Sequence, residues 1–236
     1  MTDSLYWVRS NRLADDFPDT DEALSEPDGL LAAGGDLSPD RLLDAYRRGI
    51  FPWFSDGQPI LWWAPDPRSV LFPERLKISR SLAKTLRRRP FHVTFDTAFT
   101  GVMRGCAAPR RGEPGTWITP AMLEAYTNLH RAGYAHSVEC WSAGHLVGGL
   151  YGVAIGRVFF GESMFSTATD ASKVALANLV ERLLAWGYHL IDCQIHNPHL
   201  ESLGAERIPR AVFNTMIREH CTQAPHSAAW QHGVTA

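Results

Sequence analysis

The stretch AHSVECWSAGHLVGGLYGVAIGRVFFGESMFS (135–166), followed by ASKVALANLVERLLAW (171–186) and YHLIDCQ (188–194), decides the fold. The first part holds three strand-like runs separated by turn residues, which is typical of an antiparallel meander. The second part has apolar residues at helical spacing, and Gly187 closes it. The third part has the composition of a buried strand. Strands, a long helix and a further strand together predict a mixed α/β sheet.

Helices are predicted on both sides of this stretch. Ser79 can cap the helix SLAKTLRRR, whose Leu82 and Leu86 would face the core. Thr119–Pro120 begins another helix, and Asp170 is in position to cap the long one. A last helix is predicted from about 209 to 220.

The distribution of glycine and proline residues divides the chain into two parts. Glycines and prolines are frequent up to about residue 65, where the clearest helix follows GGDLSPD (34–40). We therefore predict a small N-terminal domain over residues 1–65 and a larger domain over residues 66–236. The tail over residues 222–236 is expected to be poorly ordered.

Composition excludes several classes of protein. The chain has 236 residues, 45% of them hydrophobic, which suffices for a core. Its N-terminus lacks the pattern of a signal peptide, and no run of about 18 apolar residues occurs. The cysteines are far apart, which argues against both a zinc site and a disulfide framework. We expect a cytoplasmic protein with reduced thiols.

The formal net charge of −2 hides a strong asymmetry. Residues 1–40 hold ten acidic residues against Arg9 and Arg12, whereas residues 75–111 hold ten basic residues against Asp96 alone. A basic block in a nearly neutral chain indicates a polyanionic partner such as nucleic acid. The alternative is a solvated cationic face without a partner.

Tryptophans flank the basic block. Trp53 and Trp117 each stand beside turn-forming residues, Gly115 and Thr116 in the second case. Aromatic faces next to a basic track hold the bases of single-stranded nucleic acid. The alternative is core packing, because tryptophan is highly buried on average.

Polar residues interrupt two apolar strands. Glu162 lies within the apolar run FFGESMFS, where a carboxylate lowers the stability of the fold unless it has an ion-pair or hydrogen-bond partner or is hydrated. A face shared with Phe160 and Met164 would direct it into a pocket. Asp192 and Gln194 are two residues apart, so a regular strand points both side chains the same way. The alternative for Glu162 is an exposed glutamate at the edge of the sheet. The alternative for Asp192 and Gln194 is a structural role in capping the turn that follows them.

Other sites are not supported by the sequence. His196 and His199 have no evident third ligand, so no metal is expected. The glycines of GGLYG (148–152) lie in a strand pattern, where glycine marks a bulge or a close approach rather than a phosphate loop. No serine or cysteine stands out as a nucleophile, and no cofactor is expected.

The motifs taken together resemble those of the leucyl/phenylalanyl-tRNA–protein transferases. GGDL, FPWF, GESMFS and IDCQ in this order are highly specific. The matching stretches span residues 29–210: GLLAAGGDLSPDRLLDAYRRGIFPWF (29–54), PILWWAPDPRSVL (59–71), ISRS (78–81), GTWIT (115–119), AHSVE (135–139), VGGLYGV (147–153), FFGESMFS (159–166), ASK (171–173), IDCQ (191–194) and SLGAERIPR (202–210).

The resemblance implies a fold, an activity and partners. The fold would be a small N-terminal domain joined to an acetyltransferase-like (GNAT) domain with a mixed, largely antiparallel sheet. The activity would be transfer of leucine or phenylalanine, with methionine as a third candidate, from aminoacyl-tRNA to proteins that begin with arginine or lysine. Such transfer marks the acceptor for degradation by the N-end rule pathway. We expect a monomer, because no heptad pattern is evident.

The resemblance also implies roles for individual residues. Trp53 and Trp117 would hold the 3′-adenosine of the tRNA. Leu150, Phe159 and Met164 would form the apolar amino-acid pocket. The phosphate contacts would be made by Arg80 and Arg87, with Lys84 and Arg88 of the same helix. The catalytic group would consist of Asp192, Gln194 and Glu162.

The chemistry of such a site is simple, because the aminoacyl ester is already activated. The nucleophile is an α-amine, and the site must orient it, accept its proton and stabilise the oxyanion. Asp192 could accept the proton or act only electrostatically, Gln194 could position a carbonyl group, and Glu162 could orient amines or the basic acceptor residue.

Two competing functions stay open at this point. A CoA-dependent N-acetyltransferase would have the implied fold, but the corresponding turn, STATDASK (166–173), lacks the glycines that let backbone amides approach a pyrophosphate. A non-catalytic tRNA-binding module would equally explain the basic block and the tryptophans.

Overall fold

A computed structural model describes residues 5–10, 17–109 and 117–231, and the first part of the chain forms a small sheet. Its strands are β1 (Tyr6–Val8), β2 (Leu30–Gly34), β3 (Phe51–Pro52) and β4 (Leu61–Trp63). They lie in the order β1-β2-β4-β3, with β1 parallel to β2 and the other pairs antiparallel. Helix α1 (Pro39–Arg47) connects β2 to β3 and buries Leu42 and Tyr46.

The rest of the chain is built on a seven-stranded sheet. Its strands are β5 (Arg68–Leu71), β6 (His92–Phe95), β7 (Ala135–Ser142), β8 (His145–Ile155), β9 (Val158–Ser166), β10 (Leu190–Gln194) and β11 (Glu206–Ile208). They lie in the order β11-β5-β10-β9-β8-β7-β6, and among the strand pairs of the described residues β9 and β10 are parallel and the others antiparallel. The predicted meander is β7 to β9, and the predicted mixed α/β class is confirmed.

Six helices surround this sheet in the described residues. They are α2 (Arg80–Arg88), α3 (Phe99–Ala107), α4 (Pro120–Arg131), α5 (Ala171–Ala185), α6 (Pro198–Ser202) and α7 (Arg210–His220). Helix α5 connects β9 to β10, which explains why that pair is parallel. Within the described ranges, none of the helices has the length and apolarity needed to cross a membrane.

The two faces of the large sheet carry separate apolar cores. Alternation along β9 places Phe160 on one face and Phe159 on the other. Helices α3 and α4 and the small sheet cover the face of Phe160, and α7 joins that core through Phe213 and Ile217. Helix α5 covers the face of Phe159.

Glycines in β8 permit close packing, as the strand pattern predicted. A Cβ atom on Gly148 would lie 2.5 Å from the Cβ of Ala171, and one on Gly152 would lie 2.3 Å from the carbonyl oxygen of Phe160. Neither distance is tolerable. The first residue of α5 therefore packs directly on the sheet.

The predicted caps differ in their outcome. Ser79 Oγ accepts a hydrogen bond from Leu82 N at 3.2 Å, as expected. Asp170 has a left-handed backbone, with φ of 66°, and among the described residues its side chain accepts no capping bond. Its carboxylate instead accepts hydrogen bonds from Lys173 Nζ at 3.1 Å and from Thr85 Oγ1 of α2 at 3.0 Å. This contact ties the basic helix α2 to the start of α5.

The poor order expected for the tail stays a prediction, and the structure shows aromatic contacts around Trp230. The indole stacks on His136 with centroids 3.9 Å apart, and it packs against Trp186 at 4.8 Å. Trp230 Nε1 donates to Tyr188 Oη at 2.7 Å. Aromatic contacts that lie far from it in sequence therefore hold this part of the tail, and local sequence patterns give no sign of them. Residues 232–236 lie outside the described residues.

The division into domains at residue 65 stays a prediction. The small sheet lies before that position and the large sheet after it. One apolar core, however, contains Leu42 and Trp62 from the first part together with Tyr126 and Phe213 from the second.

Candidate active site

A cavity of about 800 Å³ opens where β9 and β10 part. Pairing between these parallel strands ends at Phe160 and Asp192, although β9 continues to Ser166. Because the sheet is open beyond this point, side chains from both of its faces border one cavity. Leu150 and Met164 line it from the α5 side, and Glu162 lines it from the opposite side.

A β-bulge in β9 sets the direction of Glu162. The register against β8 shifts between Gly161 and Ser163, so Glu162 is the extra residue. Its side chain keeps to the face of Phe160, whereas Met164 packs into the other core. The shared face that the sequence pattern predicts for Glu162 and Met164 is therefore split by the bulge.

A second bulge shapes the end of β10. The register against β5 shifts between Asp192 and Gln194, so Cys193 is the extra residue, and Gln194 has a left-handed φ of 61°. The simple alternation expected for Asp192 and Gln194 is thus wrong. Asp192 Oδ1 accepts from the backbone N of Gln194 at 2.9 Å, and the Gln194 side chain reaches Glu162 instead.

Glu162 is the centre of a hydrogen-bonded cluster. Tyr46 Oη of α1 donates to Glu162 Oε1 at 2.7 Å, and Tyr126 Oη of α4 donates to Oε2 at 3.0 Å. The two tyrosine hydroxyls also contact each other. Gln194 Nε2 donates to Glu162 Oε1 at 2.8 Å. We call Glu162, Tyr46, Tyr126 and Gln194 the Glu162 cluster.

The surroundings raise the pKa of Glu162 to about 7. Burial is the largest cause, and the negative charge of Asp192 adds to it. Hydrogen bonds from the tyrosines and Gln194 act in the opposite direction, because they favour the carboxylate. Burial and the charge of Glu162 hold the pKa values of Tyr46 and Tyr126 well above 10, so both hydroxyls keep their protons.

Asp192 is fully buried and bound to Arg68 of β5. Arg68 Nε donates to Asp192 Oδ1 at 2.8 Å and Nη2 donates to Oδ2 at 2.7 Å, which is a bidentate ion pair. The guanidinium lies between the rings of Phe51 and Phe213, 4.8 and 4.6 Å from their centroids. Strands β3, β5 and β10 and helix α7 therefore meet at this pair.

Arg68 and the two tyrosines were not predicted from the sequence. Arg68 stands in the strand RSVL, and it carries the same signal as Glu162, because a charge in a buried strand needs a partner. Tyr46 and Tyr126 lie on the apolar faces of helices, where nothing distinguishes them from ordinary core tyrosines.

The predicted amino-acid pocket is a continuous apolar surface. Leu150, Phe159 and Met164 border the cavity and belong to one core. Leu176 and Leu179 of α5 and Ile191 of β10 complete the same wall. A branched or aromatic side chain can be buried there without a polar partner.

Trp53 and Trp117 both border the cavity. Trp53 is 42% exposed, and its ring lies 5.6 Å from that of Trp63, whose Nε1 donates to Trp53 O at 2.7 Å. Trp117 is half-buried. The flanking Gly115 and Thr116 lie outside the described residues.

The predicted phosphate contacts form a stripe on α2. Arg80, Lys84, Arg87 and Arg88 are spaced at i, i+4, i+7 and i+8, and all four residues are exposed. Leu82 is buried on the other side of the helix, as expected. We call these four residues the α2 basic stripe. They do not line the cavity, and the Asp170–Thr85 contact fixes their helix beside it.

Family models match most of the chain. The model for leucyl/phenylalanyl-tRNA protein transferase matches residues 70–218, and the model for the N-terminal domain of that family matches residues 35–66.

Two relatives are similar over nearly their whole length. The leucyl/phenylalanyl-tRNA–protein transferase of Pseudomonas syringae pv. syringae (strain B728a) is 60% identical over 96% of this chain and 97% of its own. The one from Nitrosomonas europaea (strain ATCC 19718) is 62% identical over 93% of each chain.

Solved structures are only distantly similar. L-PGS from Bacillus licheniformis gives a TM-score of 0.38 at 10% identity over 71% of this chain and 53% of its own. A GCN5-related N-acetyltransferase from Kribbella flavida gives 0.35 at 13% identity over 72% and 60%.

The cavity and the sequence matches together define an aminoacyltransferase. The chain belongs to the leucyl/phenylalanyl-tRNA–protein transferase family.

Replacing Arg68 by methionine should lower the free energy of unfolding by about 3–5 kcal/mol, because it leaves Asp192 buried without its counter-ion. Adding Asp192→Leu should restore most of this loss, since both charges are then gone. Urea unfolding of the single and double variants measures the difference.

The control for this cycle is Arg75→Met, which breaks an exposed ion pair with Glu206. It should change stability by no more than about 1 kcal/mol. Equal losses for Arg68→Met and Arg75→Met would contradict the assignment of Arg68–Asp192 as a structural pair.

Proposed function

We propose that the protein transfers leucine or phenylalanine, with methionine as a third candidate, from aminoacyl-tRNA to proteins whose N-terminal residue is arginine or lysine. The product is a new peptide bond. In this proposal the protein acts in the cytoplasm as a monomer, and the transfer marks its acceptors for degradation by the N-end rule pathway.

The observation that carries the proposal is that an apolar pocket and a polar cluster open into the same cavity. An apolar pocket, formed by Leu150, Phe159 and Met164, lies on one side of the opened sheet, and the Glu162 cluster lies on the other. An aminoacyl ester with its side chain in the pocket therefore has its carbonyl carbon near polar groups that can handle an amine.

The donor tRNA is held outside the pocket in this proposal. Trp53 and Trp117 at the cavity would stack on the terminal adenosine, since base stacking tolerates an exposed aromatic face. The α2 basic stripe would contact the phosphates beyond it. Phosphate contacts of this kind give affinity and position rather than sequence discrimination.

The acceptor amine approaches between Gln194 and Glu162. The Gln194 amide nitrogen is bonded to Glu162, so its carbonyl oxygen is the group that would accept a hydrogen bond from the amine. This differs from the carbonyl-positioning role expected for Gln194. Asp192 acts electrostatically, because both of its oxygens are occupied and it has no exposed surface.

The basic residue of the acceptor meets a negative local charge. Glu162 and the buried Asp192 are both in the cavity wall, and Arg68 neutralises only Asp192. An ionised Glu162 therefore favours a guanidinium or ammonium group nearby, which supports arginine or lysine as the first residue.

Transfer of radiolabelled leucine from leucyl-tRNA should occur to a peptide that begins with arginine, and at least about tenfold more slowly to the same peptide beginning with alanine. The reaction should need neither ATP nor CoA. Incorporation is measured by scintillation counting. Absence of transfer with tRNA still bound would favour the binding-module function, and acetyl transfer from acetyl-CoA would favour the acetyltransferase.

Charge removal on the α2 basic stripe should weaken tRNA binding and flatten its salt dependence. For Lys84→Gln or Arg87→Gln, the slope of the logarithm of the binding constant against the logarithm of salt concentration should fall by about 0.7–0.9 for each phosphate that the protein no longer neutralises. Filter binding at several salt concentrations measures it. The exposed Arg218 on α7 gives the matched control, and an equal effect of Arg218→Gln would rule out a specific role for α2.

A further inference from the structure

We propose that Glu162 is the group that takes the proton from the attacking amine and returns it to the leaving ribose oxygen, with Tyr46 and Tyr126 as positioning residues. This inference rests on the proposed function. It assigns proton transfer to Glu162 instead of Asp192. It also assigns a positioning role to two tyrosines that the sequence did not distinguish.

Access to the cavity distinguishes the two carboxyl groups. Glu162 borders the cavity and is partly exposed there, whereas Asp192 is completely buried. Both oxygens of Asp192 already accept hydrogen bonds from Arg68, and Oδ1 also accepts one from the backbone of Gln194. A proton on Asp192 would displace a charge-assisted bond, which opposes its use as a base.

The hydroxyl protons of the Glu162 cluster can be arranged for either state of the carboxyl group. Glu162, Tyr46 and Tyr126 form three oxygen–oxygen contacts with one another. When Glu162 is ionised, each tyrosine donates to it, and the contact between the two hydroxyls has no proton. When Glu162 is protonated, it can donate to Tyr126, which donates to Tyr46, which donates back to Glu162. The cluster thus accommodates the carboxylate and the acid.

The charges around Glu162 are balanced between its two protonation states. The titratable groups that face it are Tyr46 from α1, Tyr126 from α4, Tyr151 from β8 and Asp192 from β10, with Arg68 behind Asp192. Among these, Arg68 is the one cation, and it is committed to Asp192. Burial and Asp192 favour the protonated form, and the donors favour the ionised form, so both are accessible near neutral pH.

The reaction balances with this single group. The amine nitrogen attacks the ester carbonyl carbon, a C–N bond forms, and the π electrons move to the oxygen. The carboxylate of Glu162 takes one proton from that nitrogen. The intermediate then collapses, the bond to the ribose oxygen breaks, and Glu162 returns the proton to that oxygen. The products are the peptide bond and a free ribose hydroxyl on the tRNA.

The test is the pH dependence of kcat/KM for leucine transfer to a peptide that begins with arginine. The free amine, with a pKa of roughly 7.7–8.0, must be deprotonated in every variant. Glu162 must also be ionised, with a pKa of about 7. The logarithm of kcat/KM should therefore rise with a slope of about two below the Glu162 pKa and about one between the two values.

Three variants separate catalysis from structure. Glu162→Gln should lose about 10²- to 10⁴-fold at high pH, and its profile should keep a slope of about one at all pH values below the pKa of the amine. Tyr126→Phe and Tyr46→Phe each remove a donor to the carboxylate, so the break should move about 0.5–1 pH unit upward, and activity should recover at high pH. As the control, Tyr188→Phe removes a remote buried hydroxyl that binds Trp230, and its profile should match that of the unchanged protein.

The outcomes are distinguishable. No transfer by the unchanged protein would overturn the proposed function and this inference with it. Transfer with the same break in Glu162→Gln, or an even loss at all pH values in both tyrosine variants, would overturn the inference alone. A break that moves in both tyrosine variants and disappears in Glu162→Gln supports it.

Discussion

The site depends on one ion pair, that between Arg68 and Asp192. It is buried, bidentate and sandwiched between Phe51 and Phe213, so it joins the small sheet, the last helix and strand β10. The hydrogen bonds of the pair offset part of the cost of desolvating both charges, although Arg68 Nη1 has no hydrogen-bond partner among the described residues. Because Asp192 also accepts from the backbone of Gln194, the same pair fixes the bulge that brings Gln194 to Glu162.

The two β-bulges, in β9 and β10, direct polar side chains into the cavity. A regular strand would alternate its side chains strictly, and it would leave Glu162 and Gln194 in the directions that the flanking residues dictate. The extra residues at Glu162 and Cys193 redirect both side chains at the point where β9 and β10 part. The apolar pocket and the Glu162 cluster therefore open into one cavity although they belong to opposite faces of the sheet.

Much of the fold followed from local patterns, and much of the site's arrangement did not. The meander over 135–166, the long helix after it and the basic face of α2 were predicted because hydrophobic periodicity and caps are local signals. Glu162, Asp192 and Gln194 were predicted as site residues because polar groups in apolar strands are conspicuous, and the three side chains border one cavity. The hydrogen bonds of these side chains were not predicted, since they are made with Arg68, Tyr46 and Tyr126, which are distant in sequence. The packing of Trp230 escaped prediction for the same reason.

The central claim is that the carboxyl group of Glu162, in its buried cluster, changes protonation state near neutral pH. Carbon-13 NMR of side-chain carboxyl groups, compared between the unchanged protein and Glu162→Gln, measures this directly. The expected result is a resonance that titrates at about pH 7 in the unchanged protein and is missing from the spectrum of Glu162→Gln. Titration of every glutamate at roughly its ordinary value near 4.3 would contradict it.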